Sequence, residues 1–211
     1  MDNLDRLATE NLGKHTDVLR LRSGKPLTVR FVAPQDAEAL QSYFRSLSLQ
    51  SRYNRLMGAA SELPPSELDK TLHVGEHSRF AVIAEIKLGE LAIMVGEARY
   101  AYDPATQSSE FGLSIGDNWQ GQGIGSAMLA NLECRSAALG AVRLFGDTLR
   151  NNEQMIGLAR KKGYGFLASP GDWRQVRFEK TLSHAAEDIP CASWKQAAMA
   201  GSFSTTLAPV L

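Results

Sequence analysis

The segment that most constrains the fold is glycine-rich and reads Trp-Gln-Gly-Gln-Gly-Ile-Gly-Ser at residues 119–126. It follows a strand-like stretch, Glu110–Ile115, and leads into residues 124–139, whose apolar side chains recur at helical spacing. Alternating glycines permit positive φ and remove Cβ atoms where another group must approach the backbone. At a helix start, unpaired N–H groups and the positive end of the dipole face the turn. The segment therefore predicts an anion-binding strand-to-helix turn.

Other phosphate-binding loops fit this segment less well. A Walker A loop requires Lys and then Ser or Thr after its last glycine, whereas Gly125 is followed directly by Ser126. A dinucleotide fingerprint needs its third glycine where Ser126 stands and an acid about 20 residues later, and residues 139–141 contain none. A tight turn that binds no ligand is the remaining alternative, and the flanking sequence disfavours it.

Hydrophobic periodicity divides the rest of the chain into a mixed order of elements. Predicted strands cover residues 28–32, 80–86, 93–102, 110–115, 142–145, 164–167 and 176–182. Predicted helices cover residues 34–47, 49–57, 66–72, 124–139 and 152–162. Short connections make the three strands between residues 80 and 115 an antiparallel meander, and the glycine turn suggests local parallel pairing. This order predicts a single α+β domain.

Composition argues against several classes of protein. Lys+Arg and Asp+Glu are both 23, so the net charge is zero, which disfavours a dedicated nucleic-acid surface. No stretch approaches the roughly 20 apolar residues of a membrane span, and the acidic N-terminus does not resemble a signal peptide. The two cysteines, Cys134 and Cys191, and the four histidines are scattered, so no metal site is expected. We expect a cytoplasmic protein, with a homodimer left open.

The spacing of Gln120, Gly123 and Gly125 is that of Gln or Arg, two residues, Gly, one residue, then Gly or Ala. In this register the sequence resembles the GNAT superfamily of N-acetyltransferases, whose signature lies between a strand and a helix. The resemblance covers about Leu27 to Leu182 and includes the order of elements. It implies that the turn amides hold the pyrophosphate of acetyl-CoA. The implied contacts with the acyl donor in this turn come from Gln120, Gly121, Gln122, Gly123, Ile124, Gly125 and Ser126.

A second motif of that family is an Asn that begins the later helix, before a Gly-aromatic pair. Asn152 and the pair Gly163-Tyr164 match it, and the resemblance makes Asn152 a cofactor contact. The implied fold is a mixed, mostly antiparallel sheet of about six to seven strands flanked by helices. Its central splay lies between the strand at 110–116 and the strand at 142–148. The splayed strand would bind the pantetheine arm and the acetyl carbonyl through Leu113, Ser114 and Ile115.

The resemblance also suggests which residues carry the chemistry. Glu110 lies near the position of a catalytic glutamate in many family members, and we expect it to act as general base through water. Glu97 and Asp117 are alternatives, although Asp117 is more typical of a turn or helix cap. The tyrosine that protonates the leaving thiolate in many members is replaced by Ala159. Tyr164 is a substitute, but a core position is the stronger prediction for it.

The predicted function is acetyl transfer from acetyl-CoA to a primary amine, either a protein lysine or a small molecule. Residues 46–55 and the strand Glu110–Ile115 look closest to the acetyltransferase domains of bacterial protein-lysine acetyltransferases. A non-catalytic acyl-CoA-binding regulatory module is the alternative, and a dinucleotide oxidoreductase is a distant third. The predicted organisation is an N-terminal extension at 1–26, an acetyltransferase domain at 27–182 and a tail or appendage at 183–211.

Overall fold

The computed structural model describes residues 16–182, and the predicted tail at 183–211 lies outside that range. The strands are β1 Asp17–Arg20, β2 Pro26–Phe31, β3 Arg79–Leu88, β4 Leu91–Asp103, β5 Ser108–Ile115, β6 Arg143–Leu149, β7 Gly165–Ala168 and β8 Gln175–Thr181. The helices are α1 Ala37–Ser46, α2 Leu49–Leu56, α3 Pro65–Leu72, α4 Ile124–Ala138 and α5 Glu153–Lys161. Each strand and helix predicted from periodicity is present, with small differences at the ends.

Within the described residues the strands form one 8-stranded sheet in the order β1-β2-β3-β4-β5-β6-β8-β7. All neighbours are antiparallel except β5 and β6, which are parallel. This arrangement confirms the mostly antiparallel α+β fold, the meander of β3 to β5 and the parallel pair beside the glycine turn. The sheet has one strand more than the upper end of the predicted range.

The additional strand is β1, which lies in the segment predicted as an N-terminal extension. It pairs with β2 along its whole length. The residue pattern did not predict this strand, because an inward position is occupied by the charged Asp17, whereas the apolar Val18 is 66% exposed. The Asp17 carboxylate accepts a hydrogen bond from Nη2 of the buried Arg135 at 2.6 Å. A buried ion pair thus takes an inward position that period-two reasoning reserves for an apolar residue.

Helices cover both faces of the sheet. The buried apolar side chains of α4 join the main core through Ile124, Met128, Leu129 and Leu132. A second cluster lies around α1 and contains Tyr43, Phe44, Leu47 and Leu63. No helix within residues 16–182 has the length and apolar character needed to cross a membrane.

The parallel pair β5–β6 is short, and the two strands separate beyond it. Only Ser108–Glu110 of β5 pair with β6, and their partners there are Arg143–Phe145. Beyond these residues β5 remains paired with β4, and β6 with β8. Where the gap begins, the rings of Phe111 and Phe178 pack edge to face with centroids 5.6 Å apart. The predicted central splay is therefore confirmed.

Gly146 stands where the strands separate, and its surroundings leave no room for a side chain. A Cβ there would lie 2.9 Å from the backbone oxygen of Phe111 and 2.9 Å from Cζ of Phe178. We expect Gly146→Ala to lower the free energy of unfolding by about 1–3 kcal/mol, measured by denaturant titration. Gly157→Ala is the matched control, because Gly157 lies inside α5 with nothing within 4 Å. That control should be neutral or stabilising, and equal effects of the two substitutions would contradict the prediction.

Candidate functional site

A groove of about 1090 Å³ runs through the splay and past the start of α4. Its walls come from β4, β5, α2, α3, α5 and the glycine turn. Most residues predicted from sequence line it: Glu110, Leu113, Ser114, Ile115, Gln120, Gly121, Gln122, Gly123, Gly125, Ser126 and Asn152. Ile124 does not, because its side chain is buried in the core. The fold therefore brings the predicted residues together at one cavity.

The glycine turn presents backbone donors to this groove. Gly121 and Gly123 have φ of +73° and +89°, and a Cβ at either would meet no atom within 4 Å. Gly125 has a different role, since a Cβ there would lie 3.2 Å from Cδ2 of Leu158 on α5. The backbone N–H groups from Gly121 to Ser126 donate to no acceptor among the described residues. Consecutive unpaired amides at a helix start are an anion-binding arrangement.

Basic side chains beside the turn extend this arrangement. Lys161 and Lys162, at the end of α5, line the groove. Arg150 and Arg160 do not: Arg150 donates from Nε to the backbone oxygen of Trp173 at 2.7 Å, and the Arg160 guanidinium stacks on Phe166. Two lysine side chains therefore add positive charge to the groove that the turn amides also line.

The backbone of β5 supplies a further set of donors. Gly116 N–H donates to the backbone oxygen of Val95 at 2.9 Å. Because backbone groups alternate in direction along an antiparallel strand, Ser114 and Gly112 also direct their N–H and C=O groups to β4. The residues between them, Leu113 and Ile115, direct theirs toward the gap. The Ile115 carbonyl accepts a hydrogen bond from Nε2 of Gln120 at 3.0 Å, which ties the turn to the strand. The N–H groups of Leu113 and Ile115 are thus donors facing the splay.

Asn152 forms the opposite edge of the gap. Its Oδ1 accepts a hydrogen bond from Met155 N–H at 3.3 Å, so the side chain caps α5. Its Nδ2 donates to Oγ1 of Thr148 at 2.9 Å. The amide therefore fixes the start of α5 against the end of β6 while lining the groove.

Among the predicted carboxylates, Glu110 has the accessible position. It lies at the end of the β5–β6 pairing, is exposed and lines the groove. It makes no hydrogen bond or ion pair with a described residue. A carboxylate in this setting is available to accept a proton.

The two alternative carboxylates are held in structural interactions. Burial by itself would raise the pKa of Glu97. The positive charges of Arg55 and Arg99 outweigh this effect and hold the pKa of Glu97 below its usual range. Asp117 is tied to the start of α2, where its carboxylate accepts hydrogen bonds from Ser48 N–H at 2.8 Å and from Ser51 Oγ at 2.7 Å, while Ser48 itself caps the helix. Neither residue lines the groove. Asp117 therefore has a structural role: it lies in a turn, where its backbone oxygen accepts from Gln120 N–H at 3.3 Å, and it holds the start of α2 without being its cap.

Tyr164 is packed in the core, which was the stronger prediction for it. It is 5% exposed, and its hydroxyl donates to Oε1 of Glu133 at 3.1 Å. Burial and the Glu133 carboxylate both raise the pKa of Tyr164. Ala159 is fully buried. Neither position presents an acidic hydrogen to the groove.

Sequence reasoning missed most of a charged cluster that lies at the groove. We call Arg55, Glu67, Glu97 and Arg99 the arginine–glutamate cluster. Arg55 forms a buried ion pair with Glu97, and Arg99 Nη1 donates to Oε2 of Glu67 at 3.0 Å. The only linear signal is a Glu and an Arg on alternate residues of the apolar strand β4. The partners come from α2 and α3, so only the fold assembles the cluster.

Together these groups can bind an extended anion, align a carbonyl and accept a proton. The turn amides and lysines suit phosphates, the β5 donors face the gap, and Glu110 lies at its end. Residues 16–182 contain no group of three or more His, Cys, Asp or Glu side chains arranged to hold a metal ion.

Comparison with known proteins gives concordant matches. A sequence profile for the acetyltransferase (GNAT) family matches residues 42–166. An acetyltransferase of Pseudomonas aeruginosa is 26% identical over 157 residues, which cover 74% of this chain and 84% of that protein. The crystal structure of the GNAT domain of S. lividans PAT superposes with a TM-score of 0.72 at 25% identity, over 80% of this chain and 98% of that one. A cAMP-binding acyltransferase from Mycobacterium smegmatis shares the fold at 20% identity and a TM-score of 0.59, over 95% of this chain and 60% of that one.

Proposed function

The chain belongs to the GNAT family of acetyltransferases, and we propose that it transfers an acetyl group from acetyl-CoA directly to a primary amine. The observation that carries this proposal is the groove itself. It joins an anion-binding turn, a strand edge with backbone donors and an accessible carboxylate. Acceptors in this proposal are small-molecule amines or protein lysines.

The donor suits the residues of the groove. Unpaired amides from Gly121 to Ser126 would hold the pyrophosphate, with Lys161 and Lys162 contributing charge. The strand edge at Leu113 and Ile115 would pair with the amide groups of the pantetheine arm. A Cβ at Gly121 or Gly123 would project into open space, so no residue of the described part of the chain fills the cradle at these positions.

The proposed chemistry assigns one task to each group. Acetyl-CoA supplies the thioester. Glu110 takes a proton from the acceptor ammonium through a water molecule, because an amine with a pKa near 10.4 is otherwise protonated at neutral pH. The amine nitrogen bonds to the carbonyl carbon, the C–S bond breaks, the sulfur leaves with the electron pair, and the acetylated nitrogen loses its second proton to solvent water. The N–H of Leu113 or Ile115 stabilises negative charge on the carbonyl oxygen.

A dedicated general acid is not part of this proposal. A thiol with a pKa of about 8.5 leaves readily as thiolate near neutral pH. The position of the expected tyrosine is occupied by the buried Ala159, and the Tyr164 hydroxyl is bonded to Glu133. We therefore expect the rate to be independent of the Tyr164 hydroxyl.

The direct test combines donor binding with turnover. Calorimetry should show that acetyl-CoA binds and that NAD does not. Thiol release and mass spectrometry with a panel of primary amines should then show CoA and an N-acetylated product. Tight acetyl-CoA binding with no turnover of any amine or lysine peptide would favour the regulatory module instead.

The glycine turn allows a test of donor binding that does not depend on turnover. We expect Gly123→Ala to raise the Kd of acetyl-CoA by about tenfold, because φ of +89° strains an alanine and its methyl group enters the cradle. Gly89→Ala is the matched control, since Gly89 has φ of +62° in the β3–β4 hairpin outside the groove. Equal affinities of the two variants would argue against pyrophosphate binding at this turn.

A further inference from the structure

Arg99, on β4, lines the groove. It pairs directly with Gly112 on β5, so its side chain lies on the same face as that glycine. A Cβ on Gly112 would be 3.4 Å from Nη2 of Arg99. The guanidinium therefore extends over β5, and the absence of a side chain at Gly112 leaves space for it.

One edge of this guanidinium has no hydrogen-bond partner among residues 16–182. Nη1 binds Glu67, whereas Nε is buried without a hydrogen bond and Nη2 makes none with a described residue. Elsewhere in the chain the same Nε–Nη2 edge holds a carboxylate. Arg30 binds Glu85 in this way at 3.0 and 2.9 Å. Further pairs of this type are Arg55–Glu97, Arg174–Asp172 and Arg177–Asp147.

The Nε–Nη2 edge of Arg99 lies near Glu110, the proposed general base. Glu110 lies two residues before Gly112 on the same face of β5, which corresponds to roughly 7 Å along a strand. Arg99, Glu110 and Gly112 all line the groove. A small molecule could therefore contact Arg99 at one end and Glu110 at the other.

The local charge favours an anion beside Arg99. Its neighbours are the Arg55–Glu97 pair, Glu67 and Lys70, which itself binds Glu67 at 3.0 Å. Burial and the nearby Arg55 lower the pKa of Arg99 despite its two glutamate neighbours. Further negative charge at the open edge would oppose both effects.

We propose that the acceptor is a small amine that also carries a carboxylate, and that the Nε–Nη2 edge of Arg99 binds this carboxylate while the amine lies beside Glu110. The inference rests on the proposed acetyl transfer and narrows its acceptor to the amino-acid class. A bidentate pair between guanidinium and carboxylate provides both charge and orientation.

The test compares each acceptor with its own carboxyl-free analogues. The standard amino acids are assayed with acetyl-CoA, and the best acceptor is compared with its carboxamide and its decarboxylated amine. We expect kcat/KM to fall by about 10- to 100-fold without the carboxylate. In Arg99→Gln this preference should fall to about threefold or less, with KM for acetyl-CoA unchanged. Arg99→Lys should retain only part of it, because an ammonium lacks the planar fork.

Arg45→Gln is the matched control, because Arg45 lies on α1 outside the groove. It should keep the full preference, and thermal unfolding should show that each variant is folded. The preference is the ratio of kcat/KM for the acceptor with its carboxylate to kcat/KM for the analogue without it. A ratio near one in the wild type, or an undiminished ratio in Arg99→Gln, would overturn the proposal. Better acetylation of an N- and C-blocked lysine would overturn it as well, in favour of a protein acceptor.

Binding measurements separate this proposal from the proposed function. If no amine is acetylated, calorimetry of the amino acids and their carboxamides with the CoA-saturated chain still tests the Arg99 edge. Carboxylate-dependent binding that is lost in Arg99→Gln would support the edge as a carboxylate site although transfer had failed. Equal binding of acids and carboxamides would overturn it.

Discussion

Replacing Glu110 with glutamine is expected to lower kcat by a factor of about 10² to 10⁴ while leaving the Kd of acetyl-CoA unchanged. Glutamine keeps the size of the side chain but cannot accept the proton of the acceptor ammonium. Glu110 is exposed at the end of the splay and makes no ion pair with a described residue, so the substitution should not disturb the fold. Thiol release under saturating substrates gives kcat, and calorimetry gives Kd.

The pH profile separates a base from a merely structural carboxylate. Without the base, the rate should follow the unprotonated fraction of the amine and rise about tenfold per pH unit below the pKa of the acceptor amine, which is about 10.4 for a lysine side chain. Glu90→Gln, in the β3–β4 hairpin outside the groove, serves as control and should retain full activity. A Glu110→Gln enzyme within about twofold of wild type at neutral pH would rule out the assigned role.

The largest expected effect on stability comes from Arg55→Met. Arg55 and Glu97 form an ion pair whose side chains are 3% and 4% exposed. Removing the guanidinium leaves a buried carboxylate without its main partner, which should lower the free energy of unfolding by about 3–5 kcal/mol. Denaturant titration at neutral pH measures the change.

Two comparisons identify the buried charge as the cause. Arg45→Met removes a surface arginine with a 45% exposed side chain and should cost no more than about 1 kcal/mol. The double variant Arg55→Met/Glu97→Leu removes both charges and should be more stable than Arg55→Met alone. If the double variant is the less stable of the two, lost packing rather than the unpaired carboxylate explains the effect.

The pH dependence of the same pair has a definite sign. Because the pKa of Glu97 is lowered in the folded protein, the pair's contribution is present above the unfolded pKa of about 4.3. It is lost as the pH falls through the lower folded value. In Arg55→Met, Glu97 stays buried but loses its partner, so its pKa should rise. Acidification then protonates Glu97 and removes the free-energy cost of the buried negative charge. The stability difference between the two proteins should therefore narrow as the pH is lowered.

The fold was accessible from the sequence wherever local pattern and burial agree. β3, β4 and β5 are apolar-rich stretches with short connections, and their antiparallel pairing follows from chain connectivity. β1 was missed because Asp17 occupies an inward position, where the carboxylate is stabilised by the buried Arg135 and by a hydrogen bond from Asn131. A contact with a residue 118 positions further along the chain cannot be seen in the alternation of apolar and polar residues within β1.

The glycine turn of the candidate site could also be predicted, since it is built from consecutive residues. Gly121 to Ser126 form a single strand-to-helix turn, and their amides face one way because the helix starts there. The sequence did not assign separate tasks to the glycines. The structure does: Gly121 and Gly123 need positive φ, whereas Gly125 must fit against Leu158.

What the sequence by itself determined is therefore the family, the order of the elements and the anion-binding turn, because these depend on neighbouring residues. Only the tertiary structure decided which carboxylate is accessible, since Glu97 and Glu110 look alike in sequence but one is paired with Arg55 and the other is exposed. It also assembled the arginine–glutamate cluster. Arg55, Glu67 and Arg99 come from α2, α3 and β4, and no spacing along the chain reveals contacts that exist only after the helices pack on the sheet.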